Sequence, residues 1–305
     1  MKKPGPPLGH LASEPDYPMQ DQTYRRGVGY IMLAGVFLSL GGLFVRNLES
    51  ADPWTVLFYR SLTFSATVVL FMVLRDGATF AQKFRQIKPQ ELIVSLSLAI
   101  GFITYVLSLF NTSVANTVLI LSTGPVFAAL LGWLLLRERV SRATWFAMVL
   151  AFLGVAIMVS GGIAGGDQLG ILFAFVAVFA FAVMIVALRR APANKDMMAP
   201  TALAGIVAAI LSLVFISTFT ISTQDLVLSI CLGSLQVGFG FILITLGSRS
   251  VPSAQVPLLG LAETALSPLW VWLFVNETPA RNTLLGGALV LCAVAFQGLS
   301  GLRKN

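Results

Sequence analysis

Residues 126–145 read VFAALLGWLLLRERVSRATW, and residues 265–284 read ALSPLWVWLFVNETPARNTL. Laid over one another at a shift of 139 residues, they align Leu130 with Leu269, Trp133 with Trp272, Leu134 with Leu273, Glu138 with Glu277, Arg142 with Arg281 and Thr144 with Thr283. Apolar matches mean little between greasy segments, but tryptophan, glutamate, arginine and threonine at one offset point to an internal repeat. Each copy is an apolar helix that ends in a short charged loop and enters another helix.

Working outward, the rest of the chain has the same texture. Of its 305 residues 57% are hydrophobic and only 11% charged, whereas an ordinary soluble domain is about 25% charged. Apolar stretches near the length needed to cross about 30 Å of hydrocarbon are expected at 27–46, 53–74, 91–110, 114–136, 142–160, 168–188, 199–219, 226–246, 253–275 and 280–299. The sequence thus predicts an all-α integral membrane protein with ten transmembrane helices. Segments such as GILFAFVAVFAFAVMIVAL (170–188) are continuously apolar, and a membrane β-strand would alternate. Residues 1–26, with KKPGPP and EPDYP, read as a polar, disordered cytoplasmic tail. No signal peptide is expected, because the first apolar stretch is too long and lacks a small-residue cleavage site.

The 20 Lys and Arg residues set the orientation. With the N-terminus inside, all of them fall in inner loops and tails except Arg46 and Arg281, outside, and Arg60, within a span. That bias predicts both termini in the cytoplasm of a cell-membrane protein. It also accounts for the net charge of +7 through anionic lipid, without nucleic acid. Five helices per copy is an odd number, so the second copy, 168–299, enters the membrane inverted relative to the first, 27–160. Inverted repeats are a recurrent architecture of secondary transporters, with substrate bound near the midplane.

Two five-helix copies, the first carrying GPVFAALLGWLLLRE (124–138) and the second ETALSPLWVWLFVNE (263–277), resemble the EamA branch of the drug/metabolite transporter superfamily. The resemblance spans about residues 27–299. The second copy departs in its residues but keeps the Glu263-to-Glu277 spacing of the family's E-P-x-x-A pattern, and Gly124 stands where the first copy would carry that acid. Membership implies the fold and the movement of amino acids, other small metabolites or amphipathic drugs, more often outward than inward. A passive facilitator or a multidrug or organic-cation transporter of the same fold is the alternative.

Two ionisable residues lie deep in expected spans. Glu263 is about 15 Å into its helix counted from Ser253, and Arg60 about 10 Å counted from Pro53, at 1.5 Å per residue. A charge there costs at least about 2.5–3.5 kcal/mol on insertion scales, so it faces the protein interior and finds a partner. Three roles stay open: the two neutralise each other, they bind the charged ends of a small-molecule substrate, or Glu263 exchanges a coupling proton. Tyr59, Tyr105, Asn116, Gln236 and Gln255 are further cavity candidates, although polar groups in lipid also simply bond to neighbouring helices. Trp270 could stack on a cationic or aromatic substrate, while interfacial anchoring is its plainer account. Pro125, beside Gly124, and Pro257 and Pro268 remove backbone hydrogen bonds in the repeat-related fourth and ninth helices, and with Gly124 are expected to kink them and take part in gating.

Enzymatic classes fit poorly. There is no G-x-x-x-x-G-K-[ST] loop for nucleotide phosphates. The one histidine, His10, lies in the tail, and Cys231 and Cys292 sit inside spans, so no metal site and no cofactor are expected.

Overall fold

Helices α2, α5 and α10, at Pro53–Asp76, Val114–Leu121 and Thr223–Cys231, begin where the sequence supplies a capping side chain. In the computed structural model the Asp52 carboxylate accepts from the backbone N–H groups of Trp54 and Thr55, at 3.1 and 3.2 Å, with Pro53 in the first turn. Ser113 accepts from Asn116 N at 3.1 Å and Ser222 from Asp225 N at 3.0 Å. Each such bond satisfies one of the N–H groups that a helix start leaves unpaired.

The structure describes residues 18–137, 142–164, 166–189, 196–248, 250–251 and 256–302. Among them it is all-helical, in the order α1 (Pro18–Arg46), α2 (Pro53–Asp76), α3 (Phe80–Arg85), α4 (Pro89–Asn111), α5 (Val114–Leu121), α6 (Gly124–Leu136), α7 (Arg142–Ala164), α8 (Gln168–Arg189), α9 (Met198–Phe215), α10 (Thr223–Cys231), a π-helical segment (Leu232–Phe239), α11 (Gly240–Gly247), α12 (Val256–Val275) and α13 (Arg281–Leu302). Seven helical segments, 22–46, 53–85, 89–111, 114–136, 168–188, 198–215 and 223–247, are long and apolar enough to cross a membrane. Three shorter apolar segments, Thr144–Ser160, Ala262–Val275 and Arg281–Phe296, occupy the places of the other expected spans.

Two boundaries differ from expectation. Helix α1 starts at Pro18, so 18–26 is helical rather than tail: proline fits a first turn and MQDQTYRR contains no helix breaker. Helix α9 stops at Phe215, before the expected 219, because the β-branched and polar run ISTFTIS (216–222) bonds elsewhere. The Thr218 carbonyl accepts from Thr55 Oγ1 at 3.1 Å, and Ser222 caps α10.

Packing follows a regular plan. The principal neighbours are α4 with α8 and α9, α7 with α13, α2 with α9 and the π segment, α1 with α12 and α11, and α6 with α8. Exchanging α1, α2, α4, α5–α6 and α7 for α8, α9, α10–α11, α12 and α13 returns the same principal packings. Where α7 meets α13, a Cβ on Gly154 would lie 2.6 Å from the Gly286 carbonyl oxygen, and one on Gly286 would overlap that of Gly154. Small residues let the two backbones touch, which is how helices associate when lipid supplies no hydrophobic drive. The described non-glycine residues with positive φ are Arg137 (55°) and Asn276 (57°), which are 139 positions apart. Both end the helix before the repeated loop.

Candidate functional site

The two ends of the bundle are tied differently. At one end, Arg46 Nε donates to Glu277 Oε2 at 2.5 Å, and its two terminal nitrogens donate to the Leu109 and Thr112 carbonyls at 2.6 Å each. Glu277 Oε1 accepts from Val114 N at 2.9 Å, at the start of α5. The Asp225 carboxylate accepts from the backbone of Glu49, Ser50 and Ala51, which closes the α1–α2 loop over α10. At the opposite end Asp196, just before α9, accepts from Arg75 and from Lys83 Nζ at 2.8 Å, and Asp76 accepts two bonds from Arg75 and one from Lys83. Burial works against ionising Asp196, but the Lys83 hydrogen bond, the Met198 N–H and the charges of Arg75 and Lys83 hold its carboxyl below the ordinary 3.8.

Between these ends lies a cavity of about 330 Å³, walled by Leu38, Phe102, Val118, Leu121, Phe181, Met184, Phe241 and Val294 and carrying the polar groups of Arg60, Tyr105, Gln236 and Glu263. It is within the size range of small-molecule pockets. Arg60 is 1% exposed. Its guanidinium carbon stands 5.1 Å from the centroid of the Phe102 ring, a cation–π arrangement. Its Nε and Nη1 have no hydrogen-bond partner, and neither do Tyr105 OH and Gln236 Oε1. Buried polar groups are ordinarily satisfied, and one left bare costs about 1–3 kcal/mol, more when charged. Four such atoms beside one cavity mark it as built to take a polar ligand.

Local backbone features set these side chains. A π turn is wider than an α turn and recurs at functional sites, and here it carries Gln236, whose Nε2 donates to the Leu38 carbonyl at 3.0 Å. The segment fits because Gly233 lies against α2: a Cβ there would overlap Thr63 Oγ1 and the Arg60 carbonyl oxygen. Tyr105 reaches past α1 at Gly41, where a Cβ would lie 2.8 Å from its hydroxyl. Ser122 and Thr123 fold their hydroxyls back onto Leu119 and Ile120 carbonyls at the break between α5 and α6. The break exposes Ser122 and Pro125 to the cavity.

The structure therefore brings together Glu263, Arg60, Tyr105, Gln236 and Pro125. Arg60 and Glu263 share the cavity but form no ion pair within 4 Å; the described ion pairs join Arg46 to Glu277 and Arg75 and Lys83 to Asp76 and Asp196. Three other candidates point elsewhere. Asn116 bonds through its amide to Thr112, Asp167 and Thr283 near the Glu277 end. Trp270 Nε1 donates to Ser39 Oγ at 2.9 Å, and the Tyr59 ring packs edge-on against Phe58. Gln255 lies outside the described residues. Gly124 begins α6 and Pro268 lies inside α12, and Pro257 is the second described residue of α12. Sequence reasoning did not single out Phe102, Phe181 and Phe241, because phenylalanines inside apolar spans carry no distinguishing signal. It also missed the π segment, for which the paired Gly233 and Gly238 were the available clue.

Comparison with known proteins adds to this geometry. The model of the EamA-like transporter family matches residues 25–160 and again 168–298. An S-adenosylmethionine uptake transporter of Rickettsia conorii is 24% identical over 278 residues, covering 90% of this chain and 93% of that protein. The pseudopaline exporter CntI of Pseudomonas aeruginosa is 23% identical over 288 residues, covering 92% and 98% respectively. A solved crystal structure superposes with a TM-score of 0.62 at 20% identity, over 93% of this chain and 99% of that one, a likeness of fold.

Proposed function

Because the chain belongs to the EamA-like transporter family and is a multi-pass membrane protein, we propose that it is a secondary transporter of a small organic metabolite related to amino acids. It works by alternating access between two inverted five-helix halves, 27–160 and 168–299, with ten helices crossing the membrane and both termini in the cytoplasm. The observation that carries this reading is the cavity itself, where bare polar atoms of Arg60, Tyr105 and Gln236 and the Glu263 carboxylate face one apolar chamber. A ligand carboxylate would satisfy Arg60 and Tyr105, and an ammonium would satisfy Gln236 or Glu263.

The two-half reading is supported by the left-handed pair Arg137 and Asn276, by the reciprocal approach of Gly154 and Gly286, and by the family match falling twice along the chain. Tight ties at the Glu277 end oppose access from there. In the proposed orientation that end is outside, and the cavity reaches inward past Met184, Ile244 and Gly260. We propose outward transport, as in the exporter among the relatives; the uptake transporter makes direction something to measure. Glu263, which has no ion-pair partner among the described residues, is the proposed site of a coupling proton.

Purified protein in liposomes tests this. Saturable uptake of labelled amino acids that is accelerated by unlabelled solute on the far side is the expected result, and in Glu263→Gln the rate loses its dependence on pH. Flux that stays linear in concentration, without such counterflow, would replace the transporter by a pore.

A further inference from the structure

Helix α1 runs along the cavity and serves as a ruler for it. At Gly41 an added Cβ would lie 2.8 Å from Tyr105 OH and 3.0 Å from Gln236 Nε2. At Gly35 it would lie 3.6 Å from the backbone nitrogen of Glu263. Six residues of α-helix separate those levels, about 9 Å at 1.5 Å per residue. The Arg60 carbonyl abuts Gly233 on the segment that carries Gln236, and its guanidinium lies over Phe102, one turn from Tyr105 on α4. The rest of the wall toward Glu263 is apolar, from Phe181, Phe241 and Met184.

Resting on the transport reading above, we propose that the cavity is a two-pole site for an elongated zwitterion, an amino acid with a second cationic group about 9 Å from its carboxylate by the α-helical rise. The first pole offers three bare donor atoms, Arg60 Nε, Arg60 Nη1 and Tyr105 OH, next to one bare acceptor, Gln236 Oε1. A carboxylate beside an α-ammonium matches that set. Glu263 forms the second pole and takes the remote cation, while the methylene chain lies against the phenylalanines. A compact amino acid, with its two charges on neighbouring atoms, satisfies the first pole alone. In an extended chain each bond advances about 1.25 Å, so about seven bonds span the poles; lysine, with six from its carboxyl carbon to Nζ, comes within one bond of that.

Ligand-induced thermal stabilisation of the detergent-purified full chain reads this directly, because a ligand that binds the folded state raises its melting temperature. The probes are lysine, norleucine, which has the same carbon skeleton without the ε-ammonium, and unbranched ω-amino acids of rising length starting from glycine. Lysine is expected to half-saturate at a concentration about tenfold below norleucine, the worth of one retained charge contact. The ω-amino acids should bind best when about seven bonds separate carboxyl carbon and nitrogen. In Glu263→Gln lysine loses its advantage over norleucine. Norleucine equal to lysine, or ω-amino acids longer than glycine that bind alike at every length, overturns the two-pole site and leaves the transport reading standing. Failure of every zwitterion to bind overturns it too, and counterflow of other solutes in liposomes then judges the transport reading by itself.

Discussion

The tie between Arg46 and Glu277 invites a quantitative test. Both side chains are about one quarter exposed, at 23% and 24%, so solvent screens them only partly. Arg46 bonds one carboxylate oxygen and two carbonyls that terminate α4, and the other carboxylate oxygen holds the first turn of α5. Glu277→Gln keeps an acceptor for Val114 N and removes the charge, at an expected cost of about 1.5–3 kcal/mol for one charge-assisted bond. Arg46→Met costs a similar amount while keeping most of the side-chain bulk. If the bond is what both substitutions remove, the double variant falls short of the summed losses by about 1–2 kcal/mol. Unfolding free energies of the four proteins in mixed micelles give this coupling. A functional counterpart follows: a cysteine placed at Ser122, in a background lacking Cys231 and Cys292, should react faster with a membrane-impermeant thiol reagent from the Glu277 side once the tie is loosened. Additive stabilities together with unchanged labelling would refute the idea that this contact holds that end shut.

Gly41→Ala should leave stability nearly unchanged, since the gain of about 1 kcal/mol for alanine over glycine in a helix is offset by crowding of Tyr105 and Gln236; its readout is a ligand half-saturation raised about tenfold. Asp196, whose carboxyl is held below its ordinary 3.8, contributes stability that is fully present above that unfolded value and is lost as pH falls through the lower folded one. Melting temperatures of the parent should therefore drop between about pH 4 and pH 2 by more than those of Asp196→Asn, and parallel curves would remove Asp196 from the account.

What the sequence disclosed follows from the physics of lipid. Length and apolarity locate a span whatever it packs against, so the helices were legible, apart from ends set by capping and side-chain competition at Pro18 and at 216–222. Arg60 and Glu263 stood out because an ionisable group deep in hydrocarbon is costly enough to need a purpose. Tyr105 and Gln236 could not be told from Tyr59 and Asn116, because in a helix apolar on every side periodicity does not say which face is inward. Asn116 illustrates the ambiguity: its donors and acceptor are all satisfied by Thr112, Asp167 and Thr283. Gln236 depends on one extra residue in a helical turn, a backbone detail that no side-chain pattern announces. Glu277 was found as a repeat marker, while its role as a brace emerged only with Arg46 and Val114 beside it.

The left-handed corner at Arg137 and Asn276 says something about descent. Asparagine, short and polar, sits in that conformation readily, whereas arginine there carries a cost of about 1–2 kcal/mol. On the two-copy proposal the torsion is shared by both corners although the residue that suits it stands in only one. A common origin of the halves would then be written more durably in backbone angles than in letters, and a search for lost kinship between the halves of such proteins would compare where the chain turns left as well as which side chains match.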